Sequence, residues 1–267
     1  MLASLNKQWV LLCYALSFFS RLSVPPTTDF KAYPFHFGNA YFPIVGAISA
    51  IIGFCVYYAA QSVFDNSISV ILMLIASLLF TGALHEDGFA DSCDGFGGGY
   101  NKKQCLAIMK DSQIGTYGVI GLMLLFALKV SLLTKLSIQS NTIFFGILLT
   151  AGMLSRLSVL AVIQSSQYAR DDASSKAASS SHALPKRYLL LAIVMSFFSL
   201  YWMPLWWSIL ILLALILSTL LCRAYFNKQI QGYTGDCLGF LQQVNELLIF
   251  LILLPLFEKN LVTLPLI

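Results

Sequence analysis

Apolar residues run through this chain in long blocks separated by short polar connections. The blocks fall at 8–24, 40–60, 67–84, 114–134, 142–163, 188–204, 205–222 and 237–257. A membrane-spanning helix needs about 20 predominantly apolar residues, so this pattern predicts an all-α, polytopic transmembrane bundle of about seven or eight membrane helices in one domain. The first block is short and carries Arg21, which allows it to lie in the interface instead. The blocks 188–204 and 205–222 are parted only by a turn at Met203-Pro204, where Trp202, Trp206 and Trp207 suit a membrane boundary.

Composition agrees with the pattern. Hydrophobic residues make up 58% of the chain and charged residues 10%, against about a quarter charged in soluble domains. Residues 8–20 are not followed by the small-residue cleavage site of a signal peptide. The six cysteines show neither a pairing rhythm nor a CxxC, and read as small hydrophobes. The net charge of +4 comes without the basic-aromatic interleaving of a nucleic-acid binder. Topology accounts for it instead. If all eight blocks span, one side receives Lys31, Lys102, Lys103, Lys110, Arg170, Lys176, Lys186, Arg187, Arg223 and Lys228, and the other only Lys7, Lys135 and Lys259. Short Lys/Arg-rich loops stay cytoplasmic, so residues 85–113 are expected on the cytoplasmic side. The Ser/Ala-rich segment 164–187 reads as a mobile cytoplasmic loop.

Against this background one polar stretch stands out. The chain has 12 Asp and Glu residues in total, and Glu86, Asp87, Asp91 and Asp94 fall within ten positions of His85, with Asp111 close behind. On a helix continuing from the third span, at about 100° per residue, Asp87, Asp91 and Asp94 share one narrow face, with Glu86 on its flank. Three such carboxylates repel unless a cation sits among them. A hard divalent ion with oxygen ligands resolves the repulsion, and Mg²⁺ also takes phosphate oxygens. Gly97, Gly98 and Gly99 follow, and a glycine run can present N–H groups to a phosphate. The bland alternatives are a solvated charged face and a plain turn. Lys102 and Lys103 read more simply as positive-inside anchors.

Further polar groups interrupt the apolar blocks. Arg156 lies deep in one, where a charged residue points to a functional site. Arg170 can reach a phosphate or merely be a loop charge. Asp236 opens the final block as a ligand, a base or an N-cap. Gln242, Gln243, Asn245 and Glu246 follow it, and Glu246 must face the bundle interior.

Taken together, HEDGFADSCDGFGGG (85–99), IMKDSQIGTYG (108–118), SRLSVL (155–160), YAR (168–170) and GYTGDCLGFLQQVNE (232–246) resemble the cobalamin synthase, or adenosylcobinamide-GDP ribazoletransferase, family. FFSRLSVP (18–25) and PIVGAI (43–48) fit as well, and the likeness runs in order along nearly the whole chain. Cys93 stands where small residues are usual. The resemblance implies a bacterial inner-membrane transferase, dependent on Mg²⁺, that joins adenosylcobinamide-GDP and α-ribazole or its 5′-phosphate and releases GMP. Its substrates are small molecules and its surroundings are the lipid bilayer; nucleic acid has no part, and a homo-oligomer is compatible with it. Under this reading Asp87, Asp91, Asp94 and Glu86 hold the metal, and Asp111 and Asp236 are further candidate catalytic carboxylates. Gly97, Gly98, Gly99, Lys110, Arg156 and Arg170 bind substrate. Two rivals are a CDP-alcohol phosphotransferase and a cation transporter. The IMKDS and TGD contexts disfavour the first. The crowding of the acids at a loop mouth and the absence of a repeat disfavour the second.

Overall fold

The computed structural model describes residues 2–170 and 180–258. Its elements are α1 (Leu2–Phe19), a 3₁₀ turn (Phe35–Tyr41), α2 (Phe42–Ala60), α3 (Asn66–Thr81), α4 (Leu84–Gly98), α5 (Lys102–Ile108), α6 (Thr116–Leu136), α7 (Asn141–Ser165), α8 (Lys186–Phe198), α9 (Leu205–Ile230) and α10 (Gly235–Glu258). No strand occurs among the described residues. Of the predicted mobile loop 164–187, residues 171–179 lie outside the described residues, and 164–165 belong to α7.

Local chemistry sets the helix boundaries. Asp65 caps α3 by accepting from the Ile68 N–H at 3.0 Å, and Asn101 caps α5 through the Gln104 N–H. Prolines sit at or just before the first turns of α2, α8 and α9, where their missing N–H is no loss. Gly82 (φ 68°) ends α3 in the left-handed region, and Ala83 (φ 57°) follows it there. The two residues turn the chain by 89° into α4. The predicted continuation of the third span into the acidic helix is therefore replaced by a sharp corner, and α4 lies across the bundle end instead of prolonging α3.

Among the described residues, five helical stretches are long and apolar enough to cross a membrane: Phe35–Ala60, Thr116–Leu136, Asn141–Ser165, Leu205–Ile230 and Gly235–Phe257. The bent pair α3 and α4 makes a sixth if counted as one span. Two predicted spans, 8–24 and 188–204, are not among these stretches. The 188–204 block is a 13-residue helix running into a 3₁₀ turn. The α1 helix packs on the Phe35–Tyr41 turn: Tyr14 Oη donates to Asp29 O at 2.6 Å, Lys7 Nζ sits over the Tyr33 and Tyr188 rings, and the Arg21 side chain lies against Gly82. Both ends of α1 thus meet the same end of the bundle, as an interfacial helix does.

Helix α7 is the central pillar, buried along most of its length against α2, α9 and α10. By contrast, α6 and α9 expose Met123, Leu124, Leu213, Leu217 and Leu221 on their outer faces, the arrangement lipid favours. At one end of the bundle the N-termini of α6 and α10, the C-termini of α7 and α9, and helices α4 and α5 come together.

Candidate active site

The site is built where α4 crosses α10. A Cβ on Gly88 would stand 2.9 Å from Asp236 Cα, and one on Gly239 would stand 2.9 Å from His85 O. Only glycine at both positions lets the two backbones approach this closely. The crossing sets Asp236, at the first turn of α10, beside Asp87 and Asp91 on α4. Asp91 is half-buried, and burial together with the neighbouring Asp236 and Asp87 carboxylates pushes its pKa up to about 7.

Arg170 closes the group from the other side. A short bridge ties the chain after α7 to the chain before α10: Ala169 N–H donates to Tyr233 O at 2.8 Å, and Tyr233 N–H donates to Gln167 O at 3.0 Å. This places Arg170 Nη2 2.7 Å from Asp236 Oδ2, which also accepts from Thr234 Oγ1 at 3.1 Å. Beyond the pair, Lys102, Lys103, Lys110 and Arg170 line an open groove of about 700 Å³. Two lysines assigned to topology in the sequence thus share a surface with two of the predicted phosphate-binding residues.

Several predicted site residues stand elsewhere. Asp94 lies on α4 and is buried, but its carboxylate faces α6, accepting from the Gly115 and Gly118 N–H groups, each at 2.8 Å. It caps that helix, whose first N–H groups have no partners of their own. Gly97 and Gly98 are the last turn of α4, and Gly99 is its cap. Their lack of side chains makes room for the Tyr117 ring and for Cys105, each under 3 Å from where a Cβ would sit on Gly97 and Gly99. Gly97 and Gly99 thus serve close packing, and the run is the end of a helix where an open phosphate loop was predicted. Asp111 is exposed and bonds the Gln113 N–H at 3.1 Å.

Arg156 and Glu86 are drawn into a second polar group inside the bundle. Lys129 Nζ donates to Gln243 Oε1 at 2.6 Å and lies 3.5 Å from Glu246 Oε1; Gln243 Nε2 donates to Glu86 Oε1 at 2.8 Å. Arg156 donates to Gly152 O at 2.9 Å, and its guanidinium stands 5.6 Å from the centre of the Phe42 ring. These side chains line a cavity of about 60 Å³, room for a few waters. Two cations face two anions, so the group is formally neutral. Lys129, 2% exposed, escaped the sequence reading, although a lysine in the middle of an apolar run carries the same signal that singled out Arg156.

Among the described residues, no three His, Cys, Asp or Glu side chains form a ready-made metal cage. A Mg²⁺ site does not require one, since this ion is commonly held by one or two carboxylates together with substrate phosphates and water. The half-buried Asp91 carboxylate, beside Asp236 and Asp87, fits a divalent cation, which would offset both the burial of its charge and the repulsion of its neighbours.

The sequence profile of the cobalamin-5-phosphate synthase family matches residues 11–254. The chain belongs to that family. Adenosylcobinamide-GDP ribazoletransferase of Shewanella amazonensis is 35% identical over 97% of this chain and 100% of its own length. The protein of that name in Pseudoalteromonas atlantica is 38% identical over 96% of this chain and 95% of its own, and that in Shewanella frigidimarina 37% over 93% and 95%. No solved structure matches the chain. The segments that carry the resemblance supply both sides of the acidic crossing.

Proposed function

We propose that this chain carries out the final joining step of cobalamin synthesis. It unites adenosylcobinamide-GDP with α-ribazole, or with its 5′-phosphate, to give adenosylcobalamin or its phosphate, and releases GMP. A ribazole hydroxyl oxygen attacks the phosphorus nearest cobinamide, a new P–O bond forms, the bridge to the second phosphorus breaks, and GMP leaves. The hydroxyl proton passes to a carboxylate of the crossing.

The observation that carries this reading is the meeting of Asp87, Asp91 and Asp236 at a glycine crossing beside a basic groove. Asp87 and Asp91, with Asp236 alongside, are suited to hold Mg²⁺, which when bound neutralises charge on the diphosphate. Arg170, fixed by Asp236, and the groove lysines Lys102, Lys103 and Lys110 orient the phosphates. Phosphoryl transfer depends chiefly on such positioning and charge neutralisation. Asp94 supports the site by holding the α6 N-terminus against α4. The basic groove at this bundle end supports a site facing the cytoplasm from the bacterial inner membrane. The test is an assay of purified protein in nanodiscs with adenosylcobinamide-GDP and α-ribazole, following GMP. Release that requires both substrates is expected; none, in folded protein with Mg²⁺ present, overturns the proposal.

A further inference from the structure

Beside the acids a second cavity of about 170 Å³ opens between α4, α7, α10 and the Phe35–Tyr41 turn, with Asp87 and Asp236 among its lining residues. Its walls are largely apolar, with Phe19, Phe42 and Val159 on them. His85 also lines it. The imidazole is stacked on Phe42 at 5.5 Å between ring centres and 17° between planes, is 4% exposed, and its Nε2 has no hydrogen-bond partner. Of the other polar side chains on the wall, Asn39 Nδ2 donates to Ser180 O at 2.7 Å and Tyr233 Oη to Ser181 O at 2.9 Å. An orphaned nitrogen this deeply buried is costly unless a ligand completes it.

Size and polarity together choose the occupant. The volume is below the roughly 300 Å³ at which pockets for drug-sized ligands begin, so it admits one bicyclic ring system and excludes a corrin macrocycle. Guanine is also bicyclic, but it carries donors and acceptors around most of its edge, and an apolar slot leaves them unpaired. The base of ribazole is a dimethylated benzimidazole with one ring nitrogen free to accept. That matches one unpartnered imidazole nitrogen among apolar walls.

We propose that this slot takes the benzimidazole base of α-ribazole, with His85 Nε2–H donating to its free ring nitrogen and the attached ribose directed at Asp87 and Asp236. The assignment rests on the function proposed above and names the subsite of the acceptor nucleoside.

The test compares α-ribazole with the analogue in which C–H replaces the free ring nitrogen, on the full-length protein in nanodiscs. With wild-type protein the analogue is expected to have a KM about five- to ten-fold higher, the weight of one hydrogen bond, with the KM for adenosylcobinamide-GDP unchanged. With His85→Phe the two nucleosides become equivalent. Val159→Phe, which fills the slot, is expected to raise the KM for α-ribazole and not that for adenosylcobinamide-GDP. Equal KM values for the two nucleosides on wild-type protein overturn the assignment, and so does a Val159→Phe effect confined to the cobinamide substrate. Calorimetric binding of α-ribazole alone separates the two proposals. If wild-type protein binds it, Val159→Phe does not and no GMP forms, the transfer reading fails and the slot stands; if wild-type protein turns over but Val159→Phe binds α-ribazole unchanged, the slot fails and the transfer reading stands.

Discussion

Replacing Gly88 with Ala is expected to slow turnover about ten-fold or more without unfolding the protein. The added Cβ would lie 2.9 Å from Asp236 Cα and 3.1 Å from Asp236 O. Both are main-chain atoms that no rotamer change can move away. Ordinary contact begins at about 3.4 Å, so α4 and α10 must part by about half an ångström. A displacement of about 1 Å at a catalytic constellation can reduce the rate about a hundred-fold; half that separation, applied between Asp236 and the Asp87–Asp91 pair, gives the ten-fold figure. The assay is GMP release under saturating substrates, beside thermal unfolding in the same nanodiscs. Gly98→Ala is the control, since its Cβ meets only Ile108 Cδ1 at 3.4 Å, and near wild-type turnover is expected. Gly88→Ala at full rate would refute the claim that the close crossing assembles the site.

Other substitutions test the surroundings. Asp94→Ala leaves the Gly115 and Gly118 N–H groups without their acceptor, which costs about 2 kcal/mol and lowers the unfolding midpoint even without Mg²⁺; an unchanged or raised midpoint would mean that Asp94 caps nothing of consequence. Lys129→Met strands Glu246 in the bundle interior and costs about 3 kcal/mol, and adding Glu246→Gln is expected to restore most of it; a double variant no more stable than the single one would contradict the pairing. Cysteine placed at Tyr100, 94% exposed, is expected to react with an impermeant thiol reagent in inverted vesicles and not in intact cells. The reverse pattern would put the site on the other face.

Much of this architecture was legible before any coordinates. The apolar blocks announced a helical membrane bundle because hydrocarbon enforces helices on a chain this oily. The acidic segment could be placed on a helix from its spacing alone. Helical phase, however, says which acids share a face and not which neighbour that face meets. Asp94 shares the face of Asp87 and Asp91, yet α6 arrives with unpaired N–H groups and takes it as a cap. Asp236 is remote in sequence, and only the Gly88–Gly239 approach brings it to Asp91. The corner at Gly82-Ala83 was hidden because the apolar pattern runs to its edge. Lys129 was hidden because one lysine barely alters the hydropathy of α6, while its partners lie on other helices.

The central claim is that Asp87, Asp91 and Asp236 act together on a substrate diphosphate with a divalent cation. Its most direct test is GMP release by purified Asp91→Asn as a function of Mg²⁺, beside wild-type protein. The account predicts Mg²⁺-dependent release from wild-type protein, and from Asp91→Asn, folded and inserted as before, a rate lower by at least about a hundred-fold at every Mg²⁺ concentration. Wild-type turnover by Asp91→Asn, or turnover indifferent to Mg²⁺ in both proteins, would contradict it.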